Sequence, residues 1–320
     1  MTKTKQQYID FCEATPDIPI FMQPFWLDAV CQKGEIWDAA LAFDGEKNII
    51  GAMTYCHRRK FGLPVIVMPP LTQFVGPWLR YPLTEKLESR YSFEKKVLKE
   101  LIGQLPSVFY SSQSFHYSLK NWLPFYWLNY EQTTRYTYVF EDLSDLKIIY
   151  QNFKDKLRNA IRRAEKSVTI EILVDISAFY EVNKKTFDRQ NIPMPYSFDF
   201  IKKLDNELTN RNLRTIYFAK DKVTGENHGV IYVVRDAQSA YCIMIGGDTQ
   251  LRTSGAIPLL LWTAIQDAAP QLIFDFEGTM IQGVENLFSS FGATQMPYFT
   301  IHKCKNKWVE MARIFLLKRL

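Results

Sequence analysis

The stretch IMIGGDTQLRTSGAIPLLLWTAIQDA, residues 243–268, is the part of the chain from which the fold is best inferred. We expect a strand that ends at Gly246 and Gly247, then a short polar loop, then a helix. The first turn of a helix accepts Pro258, because the N–H that proline lacks has no partner inside the helix there. Backbone N–H groups at a helix start point outward and bind anions, so the loop RTSGA, residues 252–256, is a candidate phosphate site.

A basic segment, KDKLRNAIRRAEK, lies near the middle of the chain at residues 154–166. Its apolar positions recur at intervals of four, four and three residues, which predicts one buried stripe of a helix. The stripe consists of Phe153, Leu157, Ile161 and Ala164. Basic side chains follow one step around the helix. They are either a solvated face, as charge runs usually are, or an anchor for phosphate, which the planar arginine fork suits.

Two further segments resemble each other. WDAALAFDGEKNIIGAMTYCHRRK at residues 37–60 and LRTIYFAKDKVTGENHGVIYVVRD at residues 213–236 each indicate two strands around a polar turn. A helix and another strand follow each hairpin. This order predicts an internal duplication of one α/β unit. The alternative is that any two α/β segments look this similar.

The predicted fold class is therefore α/β, in the α+β sense, with mixed and mostly antiparallel sheets flanked by helices. We place the domain boundary in YTYVFEDLSDLKIIYQNF, which gives a first domain at residues 1–143 and a second at residues 144–303. Each is long enough to bury its own core.

Composition excludes several classes of protein. Apolar residues make up 47% and charged residues 23% of the chain, which is typical of a globular protein. The net charge of +5 is compatible with phosphorylated ligands, an anionic membrane surface or RNA. The basic clusters are sparser than in a dedicated nucleic-acid binder, so we expect no DNA partner. The longest apolar run, IPLLLWTAI, is half of what a membrane-spanning helix needs. With no signal-peptide pattern at the start, a cytoplasmic protein with no integral membrane segment is expected.

The residues that could hold metal or act as a nucleophile are scattered. The five cysteines have no C-x-x-C spacing, and the four histidines are far apart in sequence. We therefore expect reduced, mostly buried thiols and no metal site. The sequence also has no G-x-S-x-G elbow and no complete P-loop.

Taken together, the hairpin, the paired glycines, the R-x-x-G-A loop and the helix resemble the Gcn5-related N-acetyltransferase (GNAT) fold. LRNAIRRAEK followed by VTIEI resembles the Fem-type aminoacyltransferases, and so does FDFEGTMIQGVENLFSSFG. The matching positions in the latter stretch are Asp275, Phe276, Gly278, Phe288, Phe291 and Gly292. The resemblance implies tandem, duplicated GNAT-like domains. It also implies a C-terminal tail, at about residues 304–320, that returns to the first domain.

For function, the resemblance implies an N-acyltransferase that moves an acyl group from acyl-CoA to an amine, on a small molecule or a cell-wall precursor. Fem enzymes carry a lysine, implicated in the reaction, where this chain has Ser289, and some carry a coiled-coil insertion that it lacks. The alternative, a tRNA-dependent aminoacyltransferase acting on a peptidoglycan precursor, is therefore ranked second. A third possibility is a binding protein on a degenerate GNAT fold, since MPPLTQFVGPWL in the first half has no cofactor loop.

The resemblance and the local patterns together nominate site residues. Asp275 and Glu277 are the candidate catalytic carboxylates, expected on one face of a strand; the alternative is that they are solvent-facing or structural. The candidate acyl-CoA-binding residues are Ile245, Gly246, Gly247, Arg252, Thr253, Ser254, Gly255 and Ala256. The candidate acceptor-binding residues are Arg158, Arg162, Arg189 and Tyr196.

Overall fold

A computed structural model describes residues 1–31, 34–84, 86–189, 191–248 and 251–305. The chain divides into two compact units. The first is Met1–Arg135 together with residues 297–305, and the second is Tyr136–Met296. From residue 306 onward, the predicted C-terminal tail lies outside the described residues. In the described part of the chain, no helix combines the length and the hydropathy needed to cross a bilayer.

The described residues form ten α-helices. They are α1 (Lys3–Ala14), α2 (Pro24–Val30), α3 (Leu87–Gly103), α4 (Leu123–Tyr126), α5 (Leu146–Gln151), α6 (Asp155–Ser167), α7 (Ile176–Arg189), α8 (Phe198–Asn210), α9 (Ala256–Ala268) and α10 (Gln282–Ser289). Short 3₁₀ turns lie at Ile20–Met22 and Arg252–Ser254.

The strands alternate with these helices. They are β1 (Ile36–Phe43), β2 (Ile49–Lys60), β3 (Leu63–Ile66), β4 (Trp78–Leu79), β5 (Tyr110–Ser114), β6 (Glu131–Phe140), β7 (Val168–Leu173), β8 (Arg214–Asp221), β9 (Asn227–Arg235), β10 (Ser239–Gly247), β11 (Ile273–Asp275) and β12 (Thr294–Cys304).

The first unit contains strands in the order β1-β2-β3-β5-β12, with β4 paired to β2. All of these pairs are antiparallel except β3 with β5, which the helix α3 connects. Helix α3 packs on the hairpin of β1 and β2. Its buried side chains Val97, Leu98 and Leu101 belong to the same core cluster as Ala40, Ala42 and Met53 of the hairpin.

The second unit contains strands in the order β6-β11-β10-β9-β8-β7. Again the pairs are antiparallel with one exception, β10 with β11, which α9 connects. The mixed, mostly antiparallel α/β architecture predicted from the sequence is confirmed. Two helices pack together over the core of this unit. Helix α9 packs through Leu260 and Ile265, and α6 packs through its predicted stripe, all four residues of which are buried.

The two units use glycine in the same way at the same place. A Cβ atom on Gly51 of β2 would lie 2.4 Å from Val97 Cγ1 of α3, and one on Gly229 of β9 would lie 2.7 Å from Ile257 Cδ1 of α9. Both distances are shorter than real Cβ contacts, so each glycine lets the following helix pack directly on its hairpin. The shared order of elements and this shared packing device agree with a duplicated unit.

Candidate functional site

Strands β10 and β11 pair over only three residues and then separate. The last pair joins Tyr241 to Asp275, where β11 ends, whereas β10 continues to Gly247. The register of β10 against β9 shifts between Cys242 and Met244, which marks a bulge just beyond the last pair. Bulges re-aim a strand, and here the irregularity lies where the two parallel strands part. The sheet therefore has an opening beside the second half of β10.

Helix α7 contributes side chains to the backbone of β10 beyond this point. The Asn183 amide donates to the Ile245 carbonyl oxygen at 3.0 Å, and the Gly247 N–H donates to the Thr186 hydroxyl oxygen at 3.0 Å. The GNAT resemblance also implies that backbone N–H groups of residues 245–247 polarise a substrate carbonyl, and this stays a prediction. At Gly247 that role would require the N–H to leave its acceptor, Thr186.

Gly246 and Tyr196 serve this packing of α7 on β10. A Cβ atom on Gly246 would lie 2.7 Å from the Asn183 Cα, so only glycine lets the helix come this close. The buried Tyr196 hydroxyl donates to the Asn183 side-chain oxygen at 2.5 Å and lies 3.0 Å from the Met244 sulfur. Burial raises the pKa of Tyr196, so the hydroxyl stays protonated and remains a donor. The structure thus places Tyr196 beneath β10, where it orients Asn183.

Helix α6 contacts the predicted loop, residues 252–256, and fixes its position. Gly255 has φ of +84°, and a Cβ atom there would lie 2.3 Å from the Ala160 carbonyl oxygen, so glycine is required on both counts. The Arg163 guanidinium donates to the Thr253 carbonyl oxygen at 2.6 Å. Ser254 accepts the N–H of Ala256 at 3.3 Å, which helps to start α9. The Arg252 side chain lies outside the described residues.

A cleft of about 160 Å³ opens between this loop, the end of β10 and the end of α7. It brings together five of the predicted site residues with others that the sequence did not nominate. The lining residues are Thr186, Arg189, His228, Ile245, Gly247, Asp248, Leu251, Ser254, Ala256 and Ile257. Of these, Asp248 already pairs with Lys185 at 2.9 Å.

His228 is the lining residue with the most unusual surroundings. Only 6% of it is exposed, and its Nε2 lies 3.1 Å from an Asp221 carboxylate oxygen. Among the described residues, its Nδ1 has no hydrogen-bond partner. Buried polar atoms are nearly always bonded, so an orphaned nitrogen beside a cleft indicates a ligand position.

The two candidate carboxylates lie at the point where β10 and β11 separate. Asp275 is fully buried, and its Oδ1 accepts from the Thr137 hydroxyl at 2.5 Å and from the Glu277 N–H at 2.7 Å. Glu277 lies beyond the end of β11 with φ of +64°. The prediction that both carboxylates share one face of a strand is therefore wrong, because the backbone turns before strand alternation reaches Glu277.

Glu277 is half-buried as a residue, but its carboxyl group is well shielded from water. Burial, with a smaller contribution from the Asp275 carboxylate, raises the pKa of Glu277 well above its usual 4.5. Glu277 in turn contributes to raising the pKa of the Cys242 thiol, which places this carboxyl near the bulge in β10. A carboxyl group of this kind can hold or accept a proton near neutral pH.

Residues 151–279 match the family model described as the acetyltransferase (GNAT) domain. The second unit contains a GNAT domain. The match supports acyl transfer as the reaction class of this domain. No protein of curated function is significantly similar in sequence.

Solved structures share the fold of the GNAT domain and of the whole chain. FemX is 11% identical with a TM-score of 0.66, covering 93% of this chain and 96% of that one. A tandem GNAT protein from the clavulanic acid biosynthesis pathway is 10% identical with a TM-score of 0.52, covering 94% of both chains. The C-terminal domain (DUF2156) of a putative lysylphosphatidylglycerol synthetase from Agrobacterium fabrum is 10% identical with a TM-score of 0.52, covering 86% of both. At these identities the likeness shows a duplicated GNAT-type fold alone.

The basic side chains on and just before α6 form a ridge whose members have different contacts; they are Lys154, Arg158 and Arg162, with Arg163 and Lys166 nearby. The Arg158 guanidinium contacts the Gln151 carbonyl and the Asp155 carboxylate, both close in sequence, while Arg162 is exposed. Arg163 is the residue of this ridge that reaches the loop before α9. The sequence pattern predicts the ridge but not which arginine turns toward the loop.

Proposed function

We propose that the chain is an N-acyltransferase that moves an acyl group from acyl-CoA to an amine on a small molecule or a cell-wall precursor. The observation that carries this proposal is the cleft at the start of α9, where the GNAT loop, Arg189 and the orphaned His228 nitrogen converge.

The groups around the cleft fit the phosphates of CoA. A helix start carries a partial positive charge, and the start of α9 lines the cleft through Ala256 and Ile257. The Ala256 N–H already donates to Ser254, so the charge of the helix end is what this turn offers a phosphate. Arg189, at the end of α7, adds a full positive charge, and the carboxylate in the cleft wall, Asp248, is paired with Lys185. The apolar side chains of Ile245 and Ile257 line the same cleft and suit the uncharged pantetheine arm.

The amine and the thioester fit near Cys242, at the end of the segment Cys242–Gly247 of β10 that lies away from the cleft. From Cys242 to Gly247 the strand spans roughly 17 Å at about 3.3 Å per residue, so the cleft and the two carboxylates are well separated along it. At the carboxylate end, the amine nitrogen attacks the thioester carbon, the carbon–sulfur bond breaks, and the thiolate of CoA leaves.

The proton of the attacking amine needs an acceptor. Glu277 is the better base, because both hydrogen bonds to Asp275 Oδ1 fix that carboxylate in a positioning role. The raised pKa of Glu277 brings its affinity for protons closer to that of an amine, which favours transfer.

One observation favours a Fem-type reaction with charged tRNA as the second candidate. Asn183 and Thr186 already bond to Ile245 and Gly247 of β10. These backbone groups are the ones that a pantetheine arm lying along the strand would use, and an aminoacyl-tRNA donor does not need them.

Calorimetric titration of the full chain with CoA, pantetheine and inorganic pyrophosphate tests the donor. We expect CoA to bind, pantetheine to bind much more weakly because it lacks the phosphates, and pyrophosphate to compete with CoA. No heat and no thermal stabilisation with CoA at millimolar concentration would overturn the proposal. Binding of charged tRNA with a steep salt dependence would then support the second candidate.

A further inference from the structure

Two thiols of the first unit lie side by side, apart from the GNAT domain. Cys31 caps the end of α2, and Cys56 lies in the middle of β2. The Cys31 thiol donates to the Cys56 sulfur at 3.0 Å. A disulfide bond is roughly 2.05 Å long, so a movement of about 1 Å would join the two sulfurs.

The two sulfurs differ in access. Cys56 is 1% exposed, whereas Cys31 is only partly covered. A small oxidant can therefore reach Cys31, and Cys56 is placed to react with whatever is bound there. This division into an accessible and a resolving cysteine is the arrangement that reversible oxidation requires.

A metal ion is the competing explanation. The Glu35 carboxylate lies within 4.8 Å of both sulfurs, so three donor atoms converge. However, Arg58 already pairs with Glu35. The hydrogen bond to Cys56 and burial raise the pKa of the Cys31 thiol, so the thiolate that a metal ion requires is disfavoured, and exchange with a disulfide oxidant is expected to be slow.

We propose that Cys31 and Cys56 form a reversible disulfide with a small disulfide oxidant such as oxidised glutathione. The Cys31 sulfur attacks one sulfur of oxidised glutathione and expels the first glutathione thiolate. The Cys56 sulfur then attacks the Cys31 sulfur and expels the second. Both cysteines lose a proton, and the two electrons leave with the two glutathione molecules, each of which ends as a thiol.

The bond would link the end of α2 to the centre of β2. It closes a loop that contains all of β1, so it lowers the conformational entropy of the unfolded chain more than a short loop would. Oxidation is therefore expected to raise the thermal stability of the first unit.

Glutathione redox titration of the full chain tests this proposal. The native protein is equilibrated at a series of reduced-to-oxidised glutathione ratios, then denatured in the presence of N-ethylmaleimide so that buried thiols are also blocked, digested and analysed by mass spectrometry. We expect one peptide pair joined through Cys31 and Cys56, two mass units lighter than the sum of the reduced peptides. Cys12, Cys242 and Cys304 should carry the blocking group.

The variants separate the two roles. Cys56→Ser should accumulate a glutathione adduct on Cys31, and Cys31→Ser should give little adduct on Cys56. Cys304→Ser should form the linked pair as the parent does. Blocked thiols at both positions across the whole series would overturn the proposal. So would zinc binding with a one-to-one ratio that protects both thiols and is lost in Glu35→Gln.

Discussion

The guanidinium of Arg163 lies 2.6 Å from the carbonyl oxygen of Thr253, 90 residues further along the chain. This contact gives a structural role to one of the basic side chains concentrated on α6. Arg163 holds the loop that precedes α9, Arg158 contacts Asp155 of its own helix, and Arg162 is exposed.

Arg163→Ala should weaken CoA binding several-fold, because the loop loses its side-chain tether and its ordering must then be driven by the ligand. Calorimetry gives the dissociation constant directly. Lys166→Ala, an exposed change on the same helix, is the matched control and should leave it unchanged. Equal affinity in the two variants would show that the contact does not organise the loop.

Gly255→Ala should destabilise the protein by more than about 2 kcal/mol. The substitution combines a left-handed backbone with a methyl group placed 2.3 Å from the Ala160 carbonyl oxygen. Gly283→Ala in α10 is the control, since its added methyl group meets no atom within 4 Å and helix propensity favours alanine. Urea unfolding of both variants measures the difference in stability. Similar midpoints would show that position 255 does not require glycine.

His228 allows a test that separates its two nitrogens. His228→Gln retains a polar group near the position of Nε2, which lies beside Asp221, and loses the group at Nδ1. His228→Asn retains a polar group near Nδ1. If Nδ1 contacts the ligand, the glutamine variant should raise the dissociation constant for CoA about tenfold and the asparagine variant much less. The opposite order would assign the histidine to structure.

Glu277→Gln should stabilise the protein at neutral pH and remove activity. A carboxyl group with a raised pKa in the folded state gives its full stability below its ordinary value of 4.5, and that stability falls as pH rises toward the raised pKa. Melting temperatures of the variant and the parent should therefore agree near pH 4 and diverge above it.

The activity of Glu277→Gln should fall at least about a hundredfold if the carboxyl is the base. Asp275→Asn supplies the complementary measurement. Removing the Asp275 charge lowers the pKa of Glu277, so the acid limb of the pH–rate profile should move to lower pH. An unmoved limb would exclude Glu277 as the titrating group.

Much of the GNAT domain could be predicted from local patterns. The end of β10 at Gly247, the helix that admits Pro258 and the buried stripe of α6 are all confirmed. These features depend on residues close in sequence, where periodicity and turn chemistry decide the outcome.

The missed features depend on contacts between distant residues or on one backbone turn. Strand alternation predicts Glu277 on the face of Asp275, but a left-handed residue ends the alternation. His228 looks isolated in sequence, although Asp221 lies across the hairpin from it. The predicted acceptor-binding roles of four residues stay predictions: Arg158, Arg162, Arg189 and Tyr196.

The way α6 supports the loop also bears on the order of folding. The segment from β8 to α9 contains the strands and the loop of the cleft and the helix that follows the loop, but not α7, Ala160 or Arg163. Long-range contacts form late, because the intervening chain must first be closed into a loop. Ligand binding should thus appear only after α6 has docked, and amide protons near residues 251–256 should exchange faster than those of β9 and β10.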